Sequence, residues 1–145
     1  MLKTILRKWF SPLIIVDTNV FVAANWSAKS ASGRIVDMLM EGKLRLGYSQ
    51  SIYNENKLIL AKAKTRKEFQ KRVEGIFNRG VKVLPRERIN LITDDPDDNK
   101  YLSCALESRA RYILSNDHHL LEIKKFGRTE IIKPKDFVQL PVISV

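Results

Sequence analysis

Short runs of aliphatic and β-branched residues alternate along the chain with longer segments whose apolar positions recur at helical spacing. The runs LIIV at 13–16, KLRLGYS at 43–49, VKVLP at 81–85, RYILS at 111–115 and TEIIK at 129–133 read as strands. Between them, SASGRIVDMLME (30–41), QSIYNENKLILAKA (50–63), RKEFQKRVEGIFNR (66–79) and DDNKYLSCALESRA (97–110) read as amphipathic helices. A short helix follows near 117–124, and Pro134 opens a last turn. This alternation of strands and helices predicts parallel βαβ units. Right-handed crossovers then cover both faces of the sheet and gather the βα loops along one edge. No repeat, linker or low-complexity stretch interrupts the alternation, so residues 1–145 read as one domain, with 1–12 as a basic N-terminal extension.

Composition agrees with one core: 145 residues, 44% of them hydrophobic. Charge says more. A formal net charge of +10 and a pI near 9.9 favour a polyanionic partner, nucleic acid first, over a merely solubilising surface. Residues 56–88 alone hold 11 lysines and arginines against three glutamates. Within that segment Lys62, Lys64, Arg66, Lys67 and Arg72 are the candidate phosphate-binding side chains, although a Glu68–Arg72 pair at i,i+4 accounts for part of the charge. Phe69 and Phe77 are spaced as core residues and not as base-stacking ones, so sequence-specific readout is not expected. Cys104, the only cysteine, falls on the apolar side of a predicted helix and reads as core in a reducing cytoplasm. No apolar stretch approaches the roughly 20 residues of a membrane span. The N-terminal apolar run leads straight into Asp17 without a small-residue cleavage site, so it is not read as a signal peptide.

The candidate chemistry is acidic. Asp17 ends the first strand, with Asn19 two residues on, where open α/β sheets place functional groups; a helix cap is its ordinary alternative. Glu55 lies early in a predicted helix, where a lone acid normally just complements the dipole. Asp94, Asp95, Asp97 and Asp98 crowd around Pro96 in TDDPDDNKYL. A capping arrangement from Asp95 to Asp98 explains two of them, and the remaining repulsion calls for a cation. Asp117 in SNDHHLL repeats the strand-to-helix setting of Asp17, with Ser115 as a cap. Acids converging on one sheet edge form an all-oxygen site suited to Mg²⁺ or Mn²⁺, which makes His118 and His119 solvated helix-start residues before ligands.

These motifs, VDTNVFVAA, YSQSIYNENKLIL, DDPDDNKYLSCALESRARYILSND, SNDHHLL and IIKPKDF, resemble the PIN-domain ribonucleases, in particular single-domain VapC-like toxins of toxin–antitoxin pairs. The resemblance runs from about Leu13 to Val138. It implies a three-layer α/β/α sandwich around a mostly parallel five-stranded sheet and a Mg²⁺- or Mn²⁺-dependent endoribonuclease. It also implies an antitoxin partner and often a homodimer. Its acids map onto Asp17, Glu55, Asp98 and Asp117, as ligands or, for Glu55, as an orienter of the attacking water. Asn19, Ser115 and Asp95 map onto supporting positions. Divalent ions would activate water, neutralise the phosphate and stabilise the leaving oxygen. Two rivals remain: an RNA-binding PIN module with an unused site, and a haloacid-dehalogenase-like phosphatase. The second is disfavoured because Asn19 stands where that chemistry needs a second acid.

Overall fold

The computed structural model of the chain describes residues 11–144. Residues 1–10 of the basic extension lie outside them. The strands are β1 (Leu13–Val16), β2 (Arg45–Tyr48), β3 (Val81–Lys82), β4 (Tyr112–Leu114), β5 (Lys125–Phe126) and β6 (Thr129–Ile132). They form one sheet in the order β3-β2-β1-β4-β6-β5. Every neighbouring pair is parallel except β5 with β6. The sheet therefore has six strands, not five. The additional one is a two-residue antiparallel edge folded back at Gly127, whose φ of +60° glycine adopts without strain.

Helices flank this sheet: α1 (Thr18–Trp26), α2 (Ala31–Met40), α3 (Gln50–Lys62), α4 (Lys67–Asn78) and α5 (Asn99–Ser108), then the short α6 (His118–Leu121), α7 (Pro134–Phe137) and α8 (Pro141–Ser144). Helix α5 packs on β1, β2 and β4, while α4 packs on α2 and β2. Ser30 and Ser49 cap α2 and α3 by accepting the backbone N–H of Gly33 and Ile52. The segment expected as one helix over 97–110 is in fact a 3-10 turn, Pro96–Asp98, followed by α5. Neither Asp95 nor Asp98 makes a side-chain cap bond, so the capping arrangement does not form.

Strand β1 is buried throughout its second half, with Ile14 and Ile15 fully enclosed. Phe21, Ile35, Leu102, Ile113, Leu114 and Phe137 complete the centre of the core around it. Cys104 lies in the same core, and burial pushes its thiol up to about 12, leaving it an inert apolar group. Among the described residues no helix is long and apolar enough to cross a membrane.

Connectivity fixes where chemistry sits. The chain steps outward from β1 to β2 to β3, then crosses back to β4 on the other side of β1 and continues outward to β6. Strands β1 and β4 are therefore neighbours whose following segments leave in opposite directions, which opens a crevice beyond their carboxyl ends. Asp17 follows β1, and Asp117 follows β4 after two residues.

Candidate functional site

Asp17 caps α1 from the floor of this crevice. Its backbone N–H donates to Leu114 O at 3.0 Å, extending the β1–β4 pairing by one residue. Its Oδ1 accepts the Asn19 N–H at 3.2 Å, and its Oδ2 accepts the Ser115 hydroxyl at 2.7 Å. The helix-cap reading is thus correct and does not compete with a functional one, because one carboxylate has lone pairs for both tasks. Burial raises the Asp17 pKa, helped by the charges of Glu55 and Asp117 and opposed by the bonds from Ser115 and Asn19. Asn19 contributes through its backbone, and its side chain is exposed.

Ser115 is fully buried and uses its hydroxyl twice, donating to Asp17 and accepting the Asp117 N–H at 3.0 Å. Asp117 in turn caps α6, its Oδ1 accepting the His119 N–H at 2.8 Å. Asp95, Asp98 and Asp117 bring one carboxylate oxygen each within 4.8 Å of one another. Asp98 Oδ2 is buried there without a hydrogen-bond partner. Burial raises the Asp98 pKa to about 8, with the Asp117 carboxyl against it and the charges of Asp95 and Asp17 adding to the shift. Three hard oxygen donors, one of them orphaned, suit a hard divalent cation.

Glu55 reaches the crevice from the second turn of α3, but its two oxygens are occupied. Its Oε1 accepts the Thr18 hydroxyl at 3.1 Å and the Tyr101 hydroxyl, and its Oε2 pairs with Lys100. The Tyr101 hydroxyl also lies 3.5 Å from Asp17 Oδ1 and accepts the Thr18 N–H at 3.3 Å, so it ties Glu55 to Asp17. Burial, then the charge of Asp17, pushes the Tyr101 phenol well above its usual range, keeping it a neutral donor. Lys100 bonds Asp97 at 2.6 Å as well. Burial works against its charge, and Asp97 and Glu55 more than compensate, so it stays an ammonium. The same lysine lowers the Asp97 pKa.

Five of the expected acids therefore share one crevice in two subsets: Asp98 and Asp117 with Asp95, and Asp17 with Glu55, linked through Ser115 and Tyr101. The basic residues are elsewhere. Lys62, Lys64, Arg66 and Lys67 are exposed where α3 ends and α4 begins. From Glu55 to Lys62 the helix advances about 10 Å. Arg72 pairs with Asp37 of α2 at 3.2 Å, and not with Glu68 one turn back on α4.

The PIN-domain profile matches residues 13–119, a span that holds both subsets. The chain belongs to the PIN-domain family. An uncharacterized protein of Methanocaldococcus jannaschii is 28% identical to it, over 87% of this chain and 89% of its own. The crystal structure of VapBC2 from Rickettsia felis bound to a promoter DNA fragment contains a chain of similar fold. That chain matches with a TM-score of 0.55 at 13% identity, covering 83% of this chain and 98% of its own. Membership in the PIN family leaves the phosphatase alternative without support.

Sequence reasoning missed Thr18, Lys100 and Tyr101 in this PIN domain. The signal was present in NKYL, directly after the acids: a buried tyrosine needs a partner for its hydroxyl, and a lysine beside four aspartates has carboxylates at hand. Asp117, His118 and His119 also bring one donor atom each within 4.8 Å, with His119 Nδ1 3.9 Å from Asp94 Oδ2.

Proposed function

We propose that this PIN domain is a divalent-metal-dependent endoribonuclease acting as the toxin of a toxin–antitoxin pair. The carrying observation is the orphaned, buried Asp98 Oδ2 among the carboxylates of Asp95 and Asp117. Asp98 and Asp117 would hold Mg²⁺ or Mn²⁺ together with Asp17, with Asp95 sharing the load. A bound divalent ion supplies an activated water and neutralises the scissile phosphate.

The chain's own residues do the rest. Ser115 keeps Asp17 and Asp117 at a fixed spacing by bonding both. Glu55 holds the Tyr101 hydroxyl and the Lys100 ammonium, so it acts as a positioning residue for Asp17 and for that cation at the cluster's rim. Lys62, Lys64, Arg66 and Lys67 add to the long-range attraction that a charge of +10 exerts on RNA. The toxin role is supported by the sequence resemblance to VapC-like toxins and by the fold shared with a chain of the VapBC2 structure. A short neighbouring reading frame encoding an antitoxin would support it further.

Cleavage of end-labelled single-stranded RNA with Mg²⁺, Mn²⁺ or excess EDTA tests the activity. The wild-type protein cuts with metal and not with EDTA. Asp17→Asn, which loses a charge and keeps the shape, falls by at least about 100-fold. RNA left intact by the wild-type protein under every metal would refute the nuclease reading.

A further inference from the structure

A groove of about 940 Å³ opens beside the carboxylate cluster. It lies between the first turn of α3, the segment 82–88 that runs on from β3, and the outer side of α5 at Lys100 and Ser103. Four of its side chains are basic, Lys82, Arg86, Arg88 and Lys100, against the single acid Glu87. The first turn of α3 carries no acid. Lys82 is drawn toward α3 by a 2.6 Å bond to Gln50 Oε1, and Arg86 is anchored 2.8 Å from Glu107 on α5. The remaining wall is aliphatic: Val83, Pro85 and Leu84, the last 84% exposed.

Lys100 joins the groove to the acids. It lines the groove, and its ammonium bonds both Glu55 and Asp97. A chain of phosphates lying along Lys82 and Arg88 would therefore arrive at the carboxylates through Lys100, a cation already paired with two of them. We propose that this groove is the track on which a single strand of nucleic acid lies as it enters the site. The inference rests on the nuclease reading and names the surface that presents its substrate. Charge complementarity selects the polyanion. The exposed aliphatic wall selects a single strand over a duplex, because unpaired bases have faces to lay against Leu84 and Pro85 and a paired helix does not. With no aromatic platform and no cluster of amide side chains, binding is phosphate-driven, tolerant of sequence and steeply salt-dependent.

Binding without cleavage tests the track separately from the chemistry. Full-length Asp117→Asn in EDTA is titrated into a fluorescein-labelled single-stranded RNA of about a dozen nucleotides and followed by anisotropy, with DNA of the same sequence and a duplex as parallel arms. Lys82→Glu with Arg88→Glu in that background is expected to weaken single-strand binding at least tenfold. It should also flatten the plot of log affinity against log salt by about 0.7 for each lost phosphate contact. The same charge reversal at Lys62 and Lys67 should weaken binding no more than about twofold to threefold, since it acts only at long range. Lys82→Gln with Arg88→Gln guards against misfolding, because it removes the contacts while adding no repulsion and should weaken binding in the same direction. Equal losses from the two patches, a larger loss from the distal one, or tighter binding of the duplex would each overturn the track. A protein that needs Lys82 and Arg88 to bind yet never cuts RNA would sink the nuclease reading and leave the track standing. Cutting that is indifferent to both residues would do the reverse.

Discussion

At neutral pH and without metal, Asp98 keeps a proton. Burial and the facing Asp117 hold its pKa near 8, whereas in the unfolded chain it ionises near 3.8. Between those values the folded state binds the extra proton, so the stability this group contributes is complete below about pH 4 and is lost as pH rises through 8. The urea midpoint of the metal-free protein is expected to fall between pH 5 and pH 8.5, and to fall less in Asp98→Asn, which cannot ionise. Ser115→Ala leaves both Asp17 Oδ2 and the Asp117 N–H without the shared hydroxyl. Its cost should be about 1–3 kcal/mol by denaturant unfolding. Tyr101→Phe removes the bridge between Glu55 and Asp17 and the acceptor of the Thr18 N–H. Single-turnover cleavage should slow roughly 10–100-fold while the fold survives, as for other losses of a group that orients a ligand.

At the scale of elements, the strands other than the two-residue β5 and most of the long helices were legible because their burial is one-sided or simple. Helix α1 was not. Thr18, Val20, Phe21, Ala24 and Asn25 are all buried, so VFVAA shows no polar stripe to set the 3.6 period apart from an extended apolar run. β3 is shorter than VKVLP suggested because it pairs only with Gly47 and Tyr48 of β2 before turning away into the groove wall. The end of α5 carries a local strain: Arg109 sits in the left-handed region at φ 58°, a place glycine occupies without cost. Arg109→Gly is therefore expected to raise the melting temperature, by the equivalent of about 0.5–1 kcal/mol, if its exposed guanidinium does nothing else. Calorimetry on the variant checks it.

On the scale of the whole molecule, the meeting of the acids follows from topology more than from any single motif. The turn-back from β3 to β4 makes β1 and β4 neighbours, and that puts Asp17 beside Ser115 across 98 residues of sequence. Asp17, Asp98 and Asp117 were visible as separate strand-end or helix-start acids, each with its own ordinary explanation. The partnership of Glu55 with Lys100 and Tyr101 was not visible, because it depends on how α3 packs on α5. Charge was legible in amount and only partly in place. The basic segment 56–88 contains Lys82, Arg86 and Arg88, yet the phosphate-binding candidates chosen within it were Lys62, Lys64, Arg66, Lys67 and Arg72, while Lys82, Arg86, Arg88 and Lys100 line the groove next to the acids.

The proposed activity needs a divalent cation at Asp95, Asp98 and Asp117. Calorimetric titration of the metal-free protein with Mn²⁺ at pH 7, repeated in buffers of different ionisation enthalpy, measures it most directly. The expected result is saturable binding that releases a proton, since the metal displaces the one held by Asp98. In Asp98→Asn the affinity should fall by at least tenfold and the proton release should vanish. No saturable binding by the wild-type protein, or equal binding by the variant, would contradict the assignment of these carboxylates to a metal.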